Sequence, residues 1–290
     1  MATQGLRAVV AALLIYAGAC VAARAQPQPV EVLYAGSLVT AVERFVRPPF
    51  ERLGYNLNAE GHGSTALATM IKDGIRSPDV FISADPAALL RLMGPQNGSL
   101  AAWYVQFAQT NMVLGYSPVS AHAADLAAVA AGKRSLADVV LADNLVIGRT
   151  DPALDPKGQR SLDLARDLER ATHAHGLYDR LITHATVLPE ETLLTRLESG
   201  DLDAAFLYTT ESTARSIPAI ALPIATSYPY ALTVLRSAPH PQAAQAFVAF
   251  LFSIDGRRAL ERSGLTFTAP VVAGDATAVP QGLRTLFGLR

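Results

Sequence analysis

The amino-acid sequence predicts an α/β fold in which mostly parallel sheets are covered by helices. In the amino-terminal third, short β-rich segments alternate with stretches of helical periodicity, which is the pattern of a parallel sheet. A second set of strand–helix units follows in the middle of the chain, and the carboxyl-terminal part returns to strands and helices. No internal repeat or low-complexity tract breaks this order.

The composition is that of a folded protein without a nucleic-acid partner. Half of the 290 residues are hydrophobic and 17% are charged, so the chain can form a large core and does not match a disordered protein. The formal net charge of −1 gives no basic surface of the kind that binds nucleic acid.

Residues 1–25 are predicted to be a cleaved secretory signal. Arg7 precedes an apolar run from Ala8 to Ala23 that is too short to span a membrane, and a small-x-small cleavage site ends at Ala25. We therefore expect a periplasmic protein. The alternative is a lipoprotein anchored at Cys20, the chain's one cysteine. Cleavage after Ala25 would leave no thiol for disulfides, metal binding or nucleophilic catalysis.

The predicted elements of the amino-terminal third follow a βαβαβα order. Pro48 and Pro49 are expected to interrupt or end the first helix, and Gly74 to end the second. In chain order the elements are a strand at 30–35, a helix at 38–45, a strand at 56–60, a helix from 65 to 72, a strand at 79–84 and a helix after Asp85-Pro86.

The middle and the end of the chain repeat these signals. A loop rich in Pro and Gly, residues 151–158, precedes a long amphipathic helix at 160–174. The other predicted strands are 104–107, 112–116, 145–148, 204–208, 219–222 and 231–235, and the other predicted helices are 136–141, 189–197, 241–252 and 255–262.

Three predicted turns before helices share one chemical character. The turns at 35–38, 61–65 and 155–161 each combine glycine with a hydroxyl or with exposed amides at a helix start. A helix start carries partial positive charge and unpaired N–H donors, so it can hold an anion. Each turn taken alone is more often an ordinary helix cap than a binding site. The serine in the 61–64 turn is not in a hydrolase motif, and the sequence has no P-loop or dinucleotide-binding turn.

Ordered blocks of sequence resemble the periplasmic molybdate/tungstate-binding proteins of ABC importers, and the middle blocks are most similar to the archaeal-type branch. The blocks are Tyr34-Ala35-Gly36-Ser37-Leu38, Gly63-Ser64-Thr65, 79–85, 110–113, 148–152, 155–162, 197–206 and the tail 243–264. The resemblance implies a two-lobed periplasmic-binding-protein fold of type II. Residues 30–112 and 230–290 would form lobe 1, residues 113–229 would form lobe 2, and the chain would cross near 112–116 and 228–231.

The resemblance also implies a binding site between the lobes. Ser37 and Ser64 would donate hydroxyl hydrogen bonds, and lobe 2 would supply the backbone amides of Lys157, Gly158, Glu191 and Thr192 and the hydroxyl of Tyr208. Asp155 matches the first of two carboxylates that reach the metal of the oxyanion in the archaeal-type branch, whereas Leu207 stands at the second. Asp155 is therefore either a direct contact to molybdenum or tungsten, a helix cap, or a partner of Arg160. Lys157 replaces a small residue, and we expect its amine to point to solvent rather than to reach the anion.

The resulting prediction is a binding protein, not an enzyme, that delivers molybdate or tungstate to an ABC permease in the inner membrane. We expect a monomer without a cofactor or a metal ion of its own, and a pocket of neutral donors that suits a dianion without protons. Two alternatives remain. A salt bridge from Lys157 or Arg160 into the cleft would favour sulfate or a small organic acid. A cleft carboxylate with a strongly raised pKa, at Asp155, Glu190 or Glu191, would favour a periplasmic enzyme.

Overall fold

A computed structural model describes residues 26–173 and 175–290, so the predicted signal and Cys20 lie outside the described residues. Among the residues described, no helix has the length and apolar composition needed to cross a membrane.

Strands of the described residues form two mixed sheets. In chain order they are β1 (Gln28–Ala35), β2 (Tyr55–His62), β3 (Val80–Ser83), β4 (Trp103–Thr110), β5 (Met112–Tyr116), β6 (Ile147–Arg149), β7 (Thr186–Val187), β8 (Ala204–Tyr208), β9 (Ala219–Ala221), β10 (Tyr228–Val234) and β11 (Thr266–Gly274). The first sheet has the order β11-β4-β10-β3-β1-β2, and the second has the order β7-β6-β8-β5-β9. β1 pairs in parallel with β2 and β3, and β6 pairs in parallel with β7 and β8, whereas β10 and β5 run antiparallel to their neighbours.

Helices cover both sheets. They are α1 (Val39–Ala41), α2 (Arg47–Glu51), α3 (Ser64–Lys72), α4 (Pro86–Leu90), α5 (Ala123–Ala130), α6 (Leu136–Val140), α7 (Pro156–Thr172), α8 (Leu177–Thr183), α9 (Glu190–Ser199), α10 (Thr209–Arg215), α11 (Pro241–Phe252), α12 (Ile254–Glu261) and α13 (Gln281–Arg284). A π-turn (Val42–Val46) and four 3₁₀ turns (Gly36–Leu38, Pro95–Asn97, Ala276–Ala278, Thr285–Phe287) complete the helical elements.

The helical segment after β1 does not end at Pro48-Pro49, so that part of the expectation was wrong, but a π-turn interrupts its α-helical pattern just before the prolines. The π-turn Val42–Val46 leads directly into α2, and the prolines lie in its first turn. A proline is tolerated there because the first N–H groups of a helix have no partner within it.

The chain changes sheets at two places. It leaves the first sheet between Thr110 and Met112 and returns between Ala221 and Tyr228. Both places lie close to the predicted crossings, while the exact lobe boundaries stay a prediction. The 3₁₀ turn after β1 packs against α9 and α10 of the other sheet's layer. The carboxyl end of β1 therefore faces the second lobe, which is where an open parallel sheet binds its ligands.

Candidate functional site

Ser37 and Ser64 lie buried at the ends of adjacent strands. Ser37 follows β1, and its Oγ lies 2.6 Å from the hydroxyl of Tyr230 on β10. Ser64 begins α3, and its Oγ accepts the backbone N–H of Ala84 at 3.1 Å. A hydroxyl can accept one hydrogen bond and donate another. The bond from Ala84 therefore orients the Ser64 hydroxyl and leaves its proton free to be donated.

Arg160 connects the two serines through Tyr208. Its Nη1 atom donates to the Tyr208 hydroxyl at 2.6 Å and, across the gap between the lobes, to the carbonyl of Ala84 at 2.8 Å. The rings of Tyr208 and Tyr230 lie 6.4 Å apart, centroid to centroid, in an edge-on arrangement. A continuous chain of contacts thus joins Ser64 and Ser37, and Tyr208, accepting from Arg160, keeps its own proton to donate.

Asp155 is the amino-terminal cap of α7. Its Oδ1 accepts the Lys157 N–H at 2.9 Å, and its carbonyl accepts the Gly158 N–H at 3.0 Å. Both amides that were predicted to hold the anion are engaged in this way. The alternative that Asp155 pairs with Arg160 is wrong, because the Arg160 guanidinium pairs with Asp85 at 3.1 Å. Burial raises the pKa of the Asp155 carboxyl, although Lys157 opposes the rise.

Lys157 is buried, so the expectation that its amine points to solvent was wrong. The side chain is 0% exposed. Its Nζ donates to Oε1 of Glu190 at 2.8 Å and to Oε1 of Glu211 on α10. Burial alone would lower the pKa of the ammonium, but the two carboxylates outweigh it and the pKa is raised. A buried charge is tolerated only when it is paired, and these two carboxylates give Lys157 that pairing.

The start of α9 brings Glu190 against the first lobe. A Cβ added to Gly36 would lie 2.1 Å from Oε2 of Glu190, so a side chain at position 36 would displace the Glu190 carboxyl group. Pro189, which precedes α9, offers no side-chain cap, so the N–H groups of the first turn, those of Glu191 and Thr192 included, carry the partial positive charge of an uncapped helix start.

The carboxyl groups around Lys157 form an unusual electrostatic environment. Burial raises the pKa of Glu190 well above its ordinary value; Lys157 opposes the rise, and Glu211 and Asp155 add to it. Glu211 is held in place because its Oε2 accepts the Tyr208 N–H at 2.7 Å. One ammonium therefore faces three carboxyl groups. This cluster of charges differs from the expected pocket of neutral donors.

Leu207 packs away from this site. It lies in an apolar cluster with Leu193 and Leu197, whereas Phe206 and Tyr208 belong to the main core on the other face of β8. A strand alternates its side chains between two faces. A carboxylate at position 207 would therefore point away from Tyr208.

A cavity of about 470 Å³ adjoins the site between the lobes. Its walls include His62 and Gly63 of the first lobe and Asp155, Glu190 and Glu191 of the second. One oxygen each of Thr150, Asp155 and Glu191 is buried without a hydrogen-bond partner within the part of the chain that the structure describes. Much of the remaining wall is formed by Met70, Leu154, Val187, Leu188 and Pro189, so the cavity is largely apolar with polar groups on part of its lining.

The sequence profile of the bacterial extracellular solute-binding proteins matches residues 30–266. The chain belongs to this family. One relative of this solute-binding protein is a "putative ABC transporter molybdenum-binding protein" from Haloferax volcanii, 33% identical over 215 residues that cover 71% of this chain and 63% of the relative. The chain thus spans less than two thirds of that relative's length. The molybdate/tungstate-binding protein WtpA of Thermococcus kodakarensis is 23% identical over 283 residues, covering 80% of this chain and 77% of the relative.

Solved structures confirm the two-lobed periplasmic-binding-protein fold of type II. The periplasmic molybdate-binding protein of Azotobacter vinelandii superimposes with a TM-score of 0.64 at 17% identity, covering 82% of this chain and 99% of that one. The sulfate-binding protein SubI of Mycobacterium tuberculosis superimposes with a TM-score of 0.60 at 15% identity, covering 82% and 86%. At such identities the likeness establishes the fold alone.

Sequence reasoning missed four groups of the site: Glu190, as a partner of Lys157, Glu211, Tyr230 and the interlobe contact of Arg160. A buried lysine needs carboxylate partners, and Glu190 and Glu211 both lie in the first turn of a helix. The burial of Lys157 itself, however, does not follow from local sequence.

Proposed function

We propose that this solute-binding protein captures a tetrahedral oxyanion, molybdate or tungstate, between its lobes and delivers it to an ABC permease. The observation that carries the proposal is the contact chain from Ser64 through Arg160 and Tyr208 to Ser37, which gathers hydroxyl donors from both lobes. The names of the two relatives point to the metal: molybdenum for one, and molybdate or tungstate for the other.

The proposed ligand contacts are those that the resemblance implies, namely Ser37, Ser64, Lys157, Gly158, Glu191, Thr192 and Tyr208, with Asp155 beside them as the cap of α7. Hydrogen bonds to a charged group contribute roughly 1.5–3 kcal/mol each. About five to seven of them, less the cost of ordering and lobe closure, support affinities from about micromolar to about nanomolar. The amide of Lys157 joins this set only if the anion displaces the Asp155 carboxylate at the start of α7, and the amide of Gly158 only if its bond to the Asp155 carbonyl also opens.

A second candidate is another anion, sulfate or a small organic acid. The observation that favours it is the buried ammonium of Lys157 together with the Arg160 guanidinium in the cleft. The carboxyl groups beside Lys157 can also accept a proton from a ligand. The hydroxyl of a protonated phosphate would therefore find an acceptor here, and the site lacks the all-donor lining that was expected to reject phosphate.

The raised pKa of Glu190 is the feature that would favour an enzyme. Its cause is burial beside Lys157 and Glu211, which packing alone produces. Family membership assigns solute binding instead, and we propose no catalytic residue. Nuclear magnetic resonance spectra of an organic acid incubated with the protein should be identical before and after; the appearance of a product would support catalysis.

Calorimetric titration of the purified protein tests the main proposal. Molybdate or tungstate should bind with a dissociation constant at or below about micromolar, and sulfate, phosphate and succinate should bind more weakly. Heat with one of these competitors and none with molybdate or tungstate would favour the second candidate.

Export and assembly complete the proposal. We propose that residues 1–25 direct the chain to the periplasm and are cleaved there, with anchoring at Cys20 as the alternative, and that the mature protein is a monomer. Mass spectrometry of the exported protein and light scattering of the purified protein test the two statements.

A further inference from the structure

Glu190 fills the place where the two lobes meet beside Ser37. Its carboxyl group belongs to α9 of the second lobe, yet Oε2 lies against the backbone of Gly36 in the first lobe. Its Oε1 accepts from the Lys157 ammonium at 2.8 Å, and the residue is 5% exposed. The turn Gly36–Leu38 on one side and Lys157 on the other thus enclose the carboxyl group.

The charged and polar groups around the Glu190 carboxyl group determine how much negative charge can be accommodated beside it. Lys157 and Asp155 come from the start of α7, Glu211 from α10 and the Tyr230 hydroxyl from β10, while Glu191 and, from β2, His62 line the adjoining cavity. One ammonium already faces the carboxyl groups of Glu190, Glu211 and Asp155. An incoming dianion beside an ionised Glu190 would add two like charges at short range in a largely buried place, which opposes binding.

We infer that Glu190 competes with the solute for Lys157 and must be protonated when the lobes close on the oxyanion, so that capture takes up one proton wherever Glu190 is ionised in the free protein. This inference rests on the proposed function. In the closed protein the backbone of Gly36 holds the Glu190 carboxyl group in place. Protonation removes the charge of this group without changing its volume. Neutral Glu190 then donates its proton to an oxyanion oxygen, and the anion takes the Lys157 ammonium that the carboxylate held.

The affinity of the wild-type protein at several pH values tests the inference. If one proton is taken up, the dissociation constant for molybdate or tungstate rises by up to about tenfold per pH unit above the pKa of Glu190 in the free protein. Titrations in Tris and in HEPES, whose ionisation heats differ, should show uptake of close to one proton per anion at such a pH. In E190Q the slope and the proton uptake should disappear, and at the highest pH this variant should bind at least about tenfold more tightly than wild type.

E198Q is the matched control, because Glu198 lies on the same helix and pairs with Arg215 at the surface. It should keep the wild-type slope. A wild-type affinity that is independent of pH, with no proton uptake, would overturn the inference, and so would an E190Q slope equal to that of wild type. The wild-type proton count needs no variant, so the result stands even if E190Q folds poorly. Absence of molybdate and tungstate binding at every pH would instead contradict the proposed function.

Discussion

Gly63 and Leu154 meet across the gap between the lobes with no room for a side chain. A Cβ on Gly63 would lie 2.4 Å from the carbonyl oxygen of Leu154, and the same oxygen accepts the Ala66 N–H at 3.1 Å. Backbone atoms hold this contact, so no flexible side chain can move aside. The closed arrangement therefore depends on glycine at position 63.

Gly63→Ala should hinder closure while leaving each lobe folded. We expect the affinity for the oxyanion to fall by more than about tenfold, because closure around the ligand is a hinge motion that the new methyl group obstructs. Small-angle scattering with saturating ligand should show a larger radius of gyration than for wild type. Gly282→Ala is the control, since its Cβ would meet only the end of the Gln245 side chain at 3.2 Å. Unchanged affinity in Gly63→Ala would mean that binding does not require this contact.

Ser37→Ala and Ser64→Ala should each weaken oxyanion binding by about 1.5–3 kcal/mol, the value of a hydrogen bond to a charged group. Ser64→Ala should also lower the melting temperature, because the Ala84 N–H then loses its buried acceptor. Calorimetry and thermal unfolding measure the two effects, and Ser77→Ala at an exposed position is the control. If both variants bind as tightly as wild type, the site lies elsewhere.

Asp155→Asn should keep the affinity for tungstate, whereas Asp155→Ala should lower the melting temperature. The structure shows Asp155 as a helix cap, and asparagine caps nearly as well, while loss of a cap costs about 1 kcal/mol. Titration and thermal unfolding of both variants check this. A strong loss of tungstate binding in Asp155→Asn, with stability kept, would show that the carboxylate contacts the metal.

Stability of the ligand-free protein should fall as pH rises, because burial raises the pKa of Glu190 and of Asp155. Between the ordinary and the raised pKa values the unfolded chain releases protons that the folded protein keeps, so the free energy of unfolding decreases with pH. From about pH 5 to about pH 8 the melting temperature of Glu190→Gln should decrease less than that of wild type. Glu198→Gln should follow wild type. Equal slopes in all three proteins would contradict the buried, proton-retaining state of Glu190.

Most regular elements were predictable from local sequence, whereas α5, α8, α10, β11 and the interlobe contacts were not. Short apolar runs in the sequence predict buried strands such as β3 and β8. The helix α10 was missed because it follows β8 without a loop and is rich in Thr and Ser, which are weak helix formers. Lys157 was placed wrongly because its burial depends on Glu190 and Glu211, which are 33 and 54 residues distant in sequence. Such pairing is set by tertiary packing, which residue type and spacing alone do not encode.

Calorimetric competition among molybdate, tungstate and sulfate on the purified protein measures the anion preference of the cleft most directly. Molybdate or tungstate should bind at or below about micromolar, and a hundredfold excess of sulfate should not displace either. Tight binding of sulfate or of an organic acid, with no heat from molybdate or tungstate, would contradict this assignment.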